Sequence, residues 1–412
     1  MVTVENYVKD GVLKPYWKLQ LKRARDGVYE TDWINITKYL MDKGQAKIAR
    51  KLDVEEYGFG SLALSNAKFK IDNSGGVFFP PNIQNSLFFG YDSRQYAKIR
   101  YEAGYINPDG TKIEEKVFEG LLSEKTIKTD ILKGESKFTA IAYDVILQDR
   151  KVGVSQFSVA QTVTQIAASL FTDTKVLEYL TYDVANINPK INSTIDVPAT
   201  YNGKTIKDVL DIIATRSNSV WYINDDFELV IQARQANIGT PYALIGGNTK
   251  NKAVNIVDRF DYDEGYKNII NWINWEEGGS EIQFYANDAN LELYGTNDID
   301  ISGADITTYA TKEAISDDII ADNQVPLRRI KIKTMYMPNF FSLFDTCTID
   351  WNGAPLMSDI LIWNLKDWND DKYYLTLANG FNLDTTSLWM IIGWQYDTSK
   401  STMDLYLVET AS

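Results

Sequence analysis

Short runs within the first 150 residues alternate between apolar and polar side chains, which is the pattern of strands with one buried face. The runs are YWKLQL (16–21), SLALSNAKFKID (61–72), YAKIRYE (96–102), EKVFEGLL (115–122) and KFTAIAYDVIL (137–147). The segments DNSGG, NPDG and KGES, which are typical of turns, lie between some of these runs. Several short strands at this spacing predict an antiparallel barrel or sandwich.

Helical spacing replaces this alternation after residue 150. In SVAQTVTQIAASLF (158–171), apolar residues recur every three or four positions, and Ser158 is the expected helix cap. The next segment, 186–204, is rich in Asn, Pro and Thr and predicts irregular structure.

The stretch TIKDVLDIIATRSNSVWYINDDFELVI (205–231) predicts a helix followed by a β-hairpin. Thr205 and Asp208 have the spacing of a capping box, and Asn218 is expected to end the helix in a left-handed conformation. SVWYI and FELVI then pair across NDD, whose residues tolerate turn dihedrals. This unit offers apolar surface on both members and no catalytic cluster, so we expect it to stabilise a small α/β domain.

The strand pattern returns from about residue 254. KNIINWINWEE (267–277) and SEIQFYA (280–286) predict a strand pair, and ATKEAISDDIIADN (310–323) predicts a helix. Further strands are predicted in LRRIKIKTMYM, FFSLFDTCTIDW, SDILIWNLKDW and KYYLTLA, and SLWMIIGWQYD with MDLYLVE predicts a closing hairpin. The fold class predicted for the whole chain is mainly β with a smaller α/β part.

Composition excludes several kinds of site in this chain of 412 residues. The absence of histidine removes Ser-His-Asp triads, Cys-His dyads and His-ligated zinc. The single cysteine, Cys347, lies in an alternating run and is expected to be a small buried hydrophobic residue. The net charge of −14 disfavours binding to nucleic acid. No run reaches membrane-spanning length, and the charged first residues do not resemble a signal peptide.

The best metal-like pattern is DIDISGAD, in which Asp298, Asp300 and Ser302 match the opening of a calcium loop. Tyr309 stands where that loop needs a bidentate Glu, so the pattern favours a solvated turn, and we expect no cofactor. The adjacent carboxylates Glu276–Glu277, Asp225–Asp226 and Asp370–Asp371 could in principle serve glycoside hydrolysis. Neighbours on a strand point to opposite faces, which argues against a shared site.

Four segments, in order, resemble the phage tail hub family, which comprises baseplate hubs and siphophage tail-tip hubs. They are EYGFGSLALSNAKFKIDNSGGVF with the following EGLL strand, NGKTIKDVLDIIATRSNSVWYINDDFELVI, NIVDRFDYDEGYKNIINWINW and MYMPNFFSLFDTCTIDW. The resemblance implies two barrel-like tube domains, one at 1–150 and one formed by 236–275 with 326–385. It also implies an α/β domain at 151–235, an insert domain at 276–325 and a C-terminal hairpin at 386–412.

The resemblance further implies a non-enzymatic virion protein, located at the tail tip or baseplate and assembled in the host cytoplasm. Three copies would form a ring of six similar barrels that continues the tail tube and adapts sixfold to threefold symmetry. Expected partners are the chain itself as a homotrimer, a distal tail protein or tail tube ring, a tape-measure protein, and a tip fibre or spike protein. DNA is expected only as cargo in transit. Only a short hairpin precedes Ser412, so we expect no lytic module after the hub-like region.

One subunit contact is predicted in NFFSLF (339–344), because its clustered aromatics exceed what one strand face can bury. The residues are Phe340, Phe341, Leu343 and Phe344. Two alternatives stay open. One is a β protein that binds or cleaves carbohydrate through exposed tryptophans (Trp272, Trp275, Trp363, Trp368, Trp389 and Trp394) and a carboxylate pair. The other is the hub of a contractile injection system, which would share the fold.

Overall fold

The computed structural model describes thirteen stretches of the chain: 14–41, 46–52, 60–80, 83–92, 97–130, 132–233, 241–245, 256–263, 265–277, 280–335, 342–350, 388–397 and 402–410. The strands predicted in SDILIWNLKDW and KYYLTLA lie outside these residues.

Strands form most of the N-terminal region, as the alternation predicts. They are β1 Lys14–Lys22, β2 Ala24–Arg25, β3 Val28–Tyr29, β4 Ile34–Asn35, β5 Ala46–Leu52, β6 Gly60–Asp72, β7 Lys98–Ile106, β8 Lys112–Asp130 and β9 Glu135–Ala142. Along β7 every second side chain from Ile99 to Tyr105 is buried, which is the period of a strand with one covered face.

Helices and short strands form the middle of the chain. The elements are α1 Val145–Asp149, β10 Gln161–Thr162, α2 Val163–Leu170, α3 Thr174–Leu177, β11 Ile187–Asn188, β12 Thr194–Ile195, α4 Ile206–Arg216, β13 Ser219–Ile223 and β14 Leu229–Ala233. We call residues 145–233 the α/β part.

The remaining described residues return to strands, with two helices between them. The elements are β15 Tyr242–Ile245, β16 Ile256–Asp263, β17 Trp272–Glu277, β18 Ser280–Tyr285, α5 Asp288–Tyr294, β19 Asp298–Ser302, α6 Tyr309–Asn323, β20 Arg329–Met335, β21 Thr346–Asp350, β22 Trp389–Asp397 and β23 Thr402–Glu409. The predicted strand pair (β17 with β18), the helix over 310–323 and the closing hairpin (β22 with β23) are confirmed.

One sheet joins strands from both ends of the chain. Its main path runs β16-β20-β23-β22-β5-β6-β9-β8-β7-β1-β4, and we call this path the long sheet. The link between the two ends is antiparallel pairing of β22 with β5, in which Gly393 lies opposite Lys51 and Asp397 opposite Lys47. The strands β17, β18 and β19 form a separate sheet, which we call the three-stranded sheet.

Two large apolar cores accompany these sheets. The first covers one face of the long sheet and takes residues from both of its ends, including Leu19, Phe69, Tyr101, Phe138, Ile332, Trp389 and Leu405. The second lies between the α/β part, the three-stranded sheet and α6, and includes Ile166, Leu210, Ile213, Trp221, Trp275, Ile301 and Ile319. Residues distant in sequence therefore share each core.

The helix–hairpin predicted for 205–231 is confirmed. The Thr205 side chain accepts a hydrogen bond from the Asp208 amide, and the Asp208 side chain accepts one from the Thr205 amide. Asn218 follows the helix with a φ of 45°, the left-handed conformation predicted for it. The hairpin pairs Ile223 with Leu229, so its turn extends two residues beyond NDD.

The start predicted for α2 is wrong. The helix begins at Val163 and is capped by Thr162, not by Ser158, and Val159 is exposed. Thr162 forms a complete capping box with Gln165. Pairing of β10 with β12 keeps the chain extended through Thr162, so the helix cannot begin earlier.

The predicted fold class, mainly β with a smaller α/β part, is confirmed, and the sheets curl as half-barrels. The domain boundaries stay a prediction. Within the described residues, no helix is both long enough and apolar enough to cross a membrane.

Replacement of the true cap tests this local account. We expect Thr162→Ala to lower the free energy of unfolding by about 1 kcal/mol, because the Gln165 amide at the start of α2 loses the acceptor that the Thr162 side chain supplies. Ser158→Ala is the matched control and should change it by less than about 0.5 kcal/mol. Urea denaturation measures both variants, and equal effects would contradict the assignment of the cap.

Candidate functional site

The long sheet and the contacts that fasten other elements to it form the candidate functional site. Its strands carry the largest continuous backbone hydrogen-bond network among the described residues. The hairpin of β13 and β14 belongs to the same network, because β13 pairs in parallel with β6 through Val220 opposite Gly60. The α/β part is therefore hydrogen-bonded to the sheet as well as packed near it.

A lysine surrounded by tyrosines fixes the α/β part against the N-terminal strands. The Lys98 Nζ atom of β7 lies 4.4 Å from the ring centroid of Tyr29, 5.1 Å from that of Tyr179 and 5.4 Å from that of Tyr143. The hydroxyls of Tyr29 and Tyr179 are 2.9 Å apart. Burial lowers the pKa of Lys98, and the ring faces provide cation–π attraction in place of lost water.

A carboxylate completes this contact. The Tyr143 hydroxyl donates to Glu119 Oε1 at 2.9 Å, and Arg100 Nε donates to Glu119 Oε2 at 2.8 Å. Burial and the charge of Glu119 raise the pKa of Tyr143, so this hydroxyl stays a hydrogen-bond donor. The contact therefore joins β7 and β8 to the start of the α/β part.

A buried ion pair fixes the α/β part to the segment between β19 and α6. Arg216, at the end of α4, donates to both carboxylate oxygens of Asp305 at 2.8 Å, and each side chain is only 5% exposed. The Tyr201 hydroxyl donates to Asp305 Oδ2 at 2.5 Å. Burial and the Asp305 charge raise the pKa of Tyr201. Two donors thus share one desolvated carboxylate, an arrangement that is costly to break.

Two further polar contacts connect the α/β part with α6 and the residues just before it. Asp196 lies in the irregular segment, and its Oδ2 accepts from the amides of Thr307 and Thr308 at 2.6 and 3.1 Å. These amides precede α6, so a distant side chain satisfies the start of that helix. Lys190 bridges Asp318 and Asp322 of α6 at 3.0 and 2.6 Å.

The candidate metal residues form a strand, not the predicted turn. Asp298 and Asp300 lie on the exposed face of β19, while Ile299 and Ile301 lie on its buried face. The Asn274 side-chain amide donates to Asp300 at 3.0 Å and to Asp298 at 3.3 Å. Ser302 is the last residue of the strand. Among the described residues, no cluster of three or more His, Cys, Asp or Glu could hold a metal ion.

The predicted subunit-contact residues divide into two groups. Leu343 and Phe344 are buried within the chain, where they pack with Val220, Met390 and Ile392. Phe340 and Phe341 lie outside the described residues. The subunit contact stays a prediction, and it now depends on Phe340 and Phe341.

The tryptophans of the carbohydrate alternative are mostly internal where they are described. Trp275 and Trp389 are fully buried, and Trp394 is half-buried. Trp272 stacks on Tyr285 with ring centroids 4.8 Å apart, on the exposed face of the three-stranded sheet. Trp363 and Trp368 lie outside the described residues.

A cavity of about 60 Å³ lies where the long sheet meets the β13–β14 hairpin. Its lining includes Lys116, Tyr143, Asp144, Phe227 and Trp394. Sites for small molecules usually measure roughly 300–1,000 Å³, so this space has room for water and not for a sugar or nucleotide.

The adjacent carboxylates that the structure describes are exposed to solvent. Glu276 is on the exposed face of β17, whereas Asp225 and Asp226 are exposed in the hairpin turn after β13. Asp370–Asp371 lies outside the described residues. Cys347 is the buried strand residue that the sequence predicts, and burial raises the pKa of its thiol to about 12.

Comparison with known proteins gives a result only at the level of three-dimensional structure. The sequence matches no protein-family model and no curated protein. The structure is similar to the tail protein from Neisseria meningitidis MC58, with a TM-score of 0.52 at 13% identity, over 95% of this chain and 96% of that one. It is equally similar to the 43 kDa tail protein of prophage MuSo2 from Shewanella oneidensis, with a TM-score of 0.52 at 12% identity, over 95% and 98%.

A chain of the half-lidded Francisella PdpA–VgrG complex also matches, with a TM-score of 0.53 at 8% identity, over 97% of this chain and 58% of that one. At such low sequence identities, the structural similarity shows a shared fold and nothing beyond it. The chain has the fold of phage tail proteins along nearly its whole length, so the predicted resemblance is confirmed at that level.

The polar contacts between the parts of the chain, such as Arg216 with Asp305, were not predicted from the sequence. Arg216 and Asp305 lie far apart in sequence, and no local pattern pairs them. One signal was available in α6, where Lys312 and Ser316 share a helical stripe with Ile319 and are buried with it. A lysine within an apolar stripe indicates that a charged partner or an aromatic ring lies nearby. The Nζ atom of Lys312 lies 5.7 Å from the ring centroid of Trp275.

Removal of the buried Asp305 carboxylate tests the importance of its ion pair with Arg216. We expect Asp305→Asn to lower the free energy of unfolding by about 3–5 kcal/mol, because Arg216 keeps a buried charge without its counter-ion. Asp300→Asn, on the exposed face of the neighbouring strand, is the control and should change it by less than about 0.5 kcal/mol. Chemical denaturation measures both variants. A cost below about 1 kcal/mol for Asp305→Asn would contradict this role.

Proposed function

We propose that this chain is a structural tail hub protein, three copies of which form a ring that continues the tail tube of a phage-like particle. The observation that carries the proposal is the long sheet, in which strands from both ends of the chain join in one hydrogen-bond network over a shared core. A ring subunit needs such a rigid curved wall, because the channel keeps its shape only if each segment resists bending.

The whole-chain similarity supports this role. The two tail proteins align over 95% of this chain and almost all of their own length, so the likeness includes the arrangement of the parts and not one common module. A fold alone does not determine function. We therefore infer the tail role from the fold together with the long sheet and its shared core.

The ring geometry extends the proposal. Each chain supplies two barrel-like segments, and three copies give six, which matches a sixfold tube above and a threefold tip below. The proposed neighbours are a distal tail protein or tube ring on one side, and a tip fibre or spike protein on the other. The tape-measure protein and DNA pass through the channel, and the protein performs no catalysis. Its proposed location is the virion tail tip or baseplate, after assembly in the host cytoplasm.

The hub of a contractile injection system is a second candidate, favoured by the similarity to a chain of the PdpA–VgrG complex. A rigid curved sheet would suit a subunit of that assembly equally well. Genes for a tape-measure protein and a portal beside this one would favour the phage. The carbohydrate alternative has less support, because Trp275 and Trp389 are internal.

Native mass spectrometry of the purified full-length protein tests the proposed assembly. We expect a species of three chains, and a larger complex after the neighbouring tail protein is added. The monomer of an unrelated protein of similar mass serves as the control for nonspecific clustering. A monomer at all concentrations that also ignores the neighbouring protein would contradict the proposal.

A further inference from the structure

Two exposed sheet faces of this chain carry like charges directly opposite each other, carboxylates on the first and a row of lysines on the second. The first is the exposed face of the three-stranded sheet. The second is the exposed face of β6, β9 and β8 in the long sheet. We propose that these faces bind each other between neighbouring copies, a contact that rests on the proposed ring.

The first face, which we call the acidic face, consists of nine side chains in three cross-strand rows. The rows are Tyr285–Trp272–Asp298, Gln283–Asn274–Asp300 and Glu281–Glu276–Ser302. These residues include four carboxylates and no cation, and all four carboxylates are exposed. Glu276 and Glu281 are direct cross-strand partners, which places two negative charges side by side.

The amides and aromatics of the acidic face hold it in shape. Trp272 Nε1 donates to Asn274 Oδ1 at 2.9 Å, and the Asn274 amide donates to Asp300 at 3.0 Å. Tyr285 stacks on Trp272 and is 57% exposed. The acidic face is therefore preorganised. Its aromatic rings, like its carboxylates, are in position to bind a cation.

The second face, which we call the lysine row, lies on the other sheet. Lys137 of β9 is the direct partner of Lys70 on one side and of Lys128 on the other. Lys68 is two positions before Lys70 on the same strand face and is exposed, as are Lys128 and Lys137. Three lysines in one cross-strand row repel each other, in a protein whose net charge is −14.

A neighbouring row of carboxylates offsets part of this positive charge. Asp72, Glu135 and Asp130 lie across the end of the same strands. Glu135 pairs with Lys70 at 2.9 Å, while Asp72 accepts from the Ser74 amide at 2.9 Å and Asp130 from the Lys133 amide at 3.2 Å. Asp72 and Asp130 therefore also hold the adjoining turns, and the exposed ends of Lys68, Lys128 and Lys137 are the cations that this face offers to a partner.

A second copy of this chain is the occupant that the charges favour. The row of Lys70, Lys137 and Lys128 crosses three strands and the acidic face is three strands wide, so the lysines can lie along carboxylates at matching spacing. Sequences tolerate such local conflicts where function requires them. Because the two faces belong to different parts of the chain, the contact is head-to-tail, and repeated head-to-tail contacts close into a ring when the rotation from copy to copy is one third of a turn.

Two single substitutions separate this contact from chain stability. Lys137→Glu places a negative charge between two lysines, and Glu276→Lys places a positive charge opposite Glu281. Each change turns like-charge cross-strand partners into opposite-charge partners, and at residue 137 this gain is offset by the nearby Glu135, so we expect a nearly unchanged Tm for both variants. Each change also reverses one charge of the contact, so we expect the dissociation constant of the assembly to rise at least roughly tenfold in analytical ultracentrifugation.

Matched controls carry the same charge changes elsewhere. Lys204→Glu and Asp149→Lys alter exposed side chains of the α/β part and should assemble as the wild type does. An equimolar mixture of the Lys137→Glu and Glu276→Lys chains retains one intact contact per pair. We expect native mass spectrometry of this mixture to detect a two-chain species with one copy of each variant.

The outcomes distinguish this contact from the ring itself. A wild-type chain that remains monomeric overturns the proposed function and the contact together. Wild-type trimers accompanied by equally stable trimers of both variants overturn the contact alone. Variants that weaken no more than their controls, or a mixture without the two-chain species, also overturn it.

Discussion

Pairing between β5 and β22 is the interaction on which the rest of the structure depends. It brings residues 47–51 into register with residues 393–397, and thereby makes one sheet from strands at opposite ends of the chain. Without it the apolar residues of the N-terminal strands and those of β20, β22 and β23 would face separate and smaller cores. With it, Ile48 and Tyr396 belong to one core. Backbone ladders also resist shear, which suits a wall segment better than side-chain packing alone.

The α/β part is held to the long sheet on one side and to the segment after β19 on the other by polar contacts that need specific partners. Lys98 enters a group of three tyrosines, and Arg216 meets Asp305 in a desolvated site. Apolar packing alone would allow small shifts of one part against the other. A buried ion pair does not, because displacement leaves charges without partners. Such contacts fix orientation, and a subunit that must match its neighbours on both sides requires a fixed orientation.

Local structure could be predicted from the sequence where a signal lies within one element. The alternation in β7 and the Thr205–Asp208 capping box are examples, because each is decided by residues a few positions apart. Ser158 and Thr162 are both acceptable caps, and only the pairing of β10 with β12 chooses between them. The strand β19 had a readable signal in Ile299 and Ile301, which its acidic residues obscured. Partners such as Arg216 and Asp305 could not be predicted, because nothing in either local sequence specifies the other.

Electron cryo-microscopy of the purified assembly tests the central claim most directly, because it displays both symmetry and the orientation of the long sheet. We predict closed rings of three chains around an open channel, with six barrel-like segments bounding that channel. Single compact particles, or an assembly in which the long sheet lies away from any channel, would contradict it.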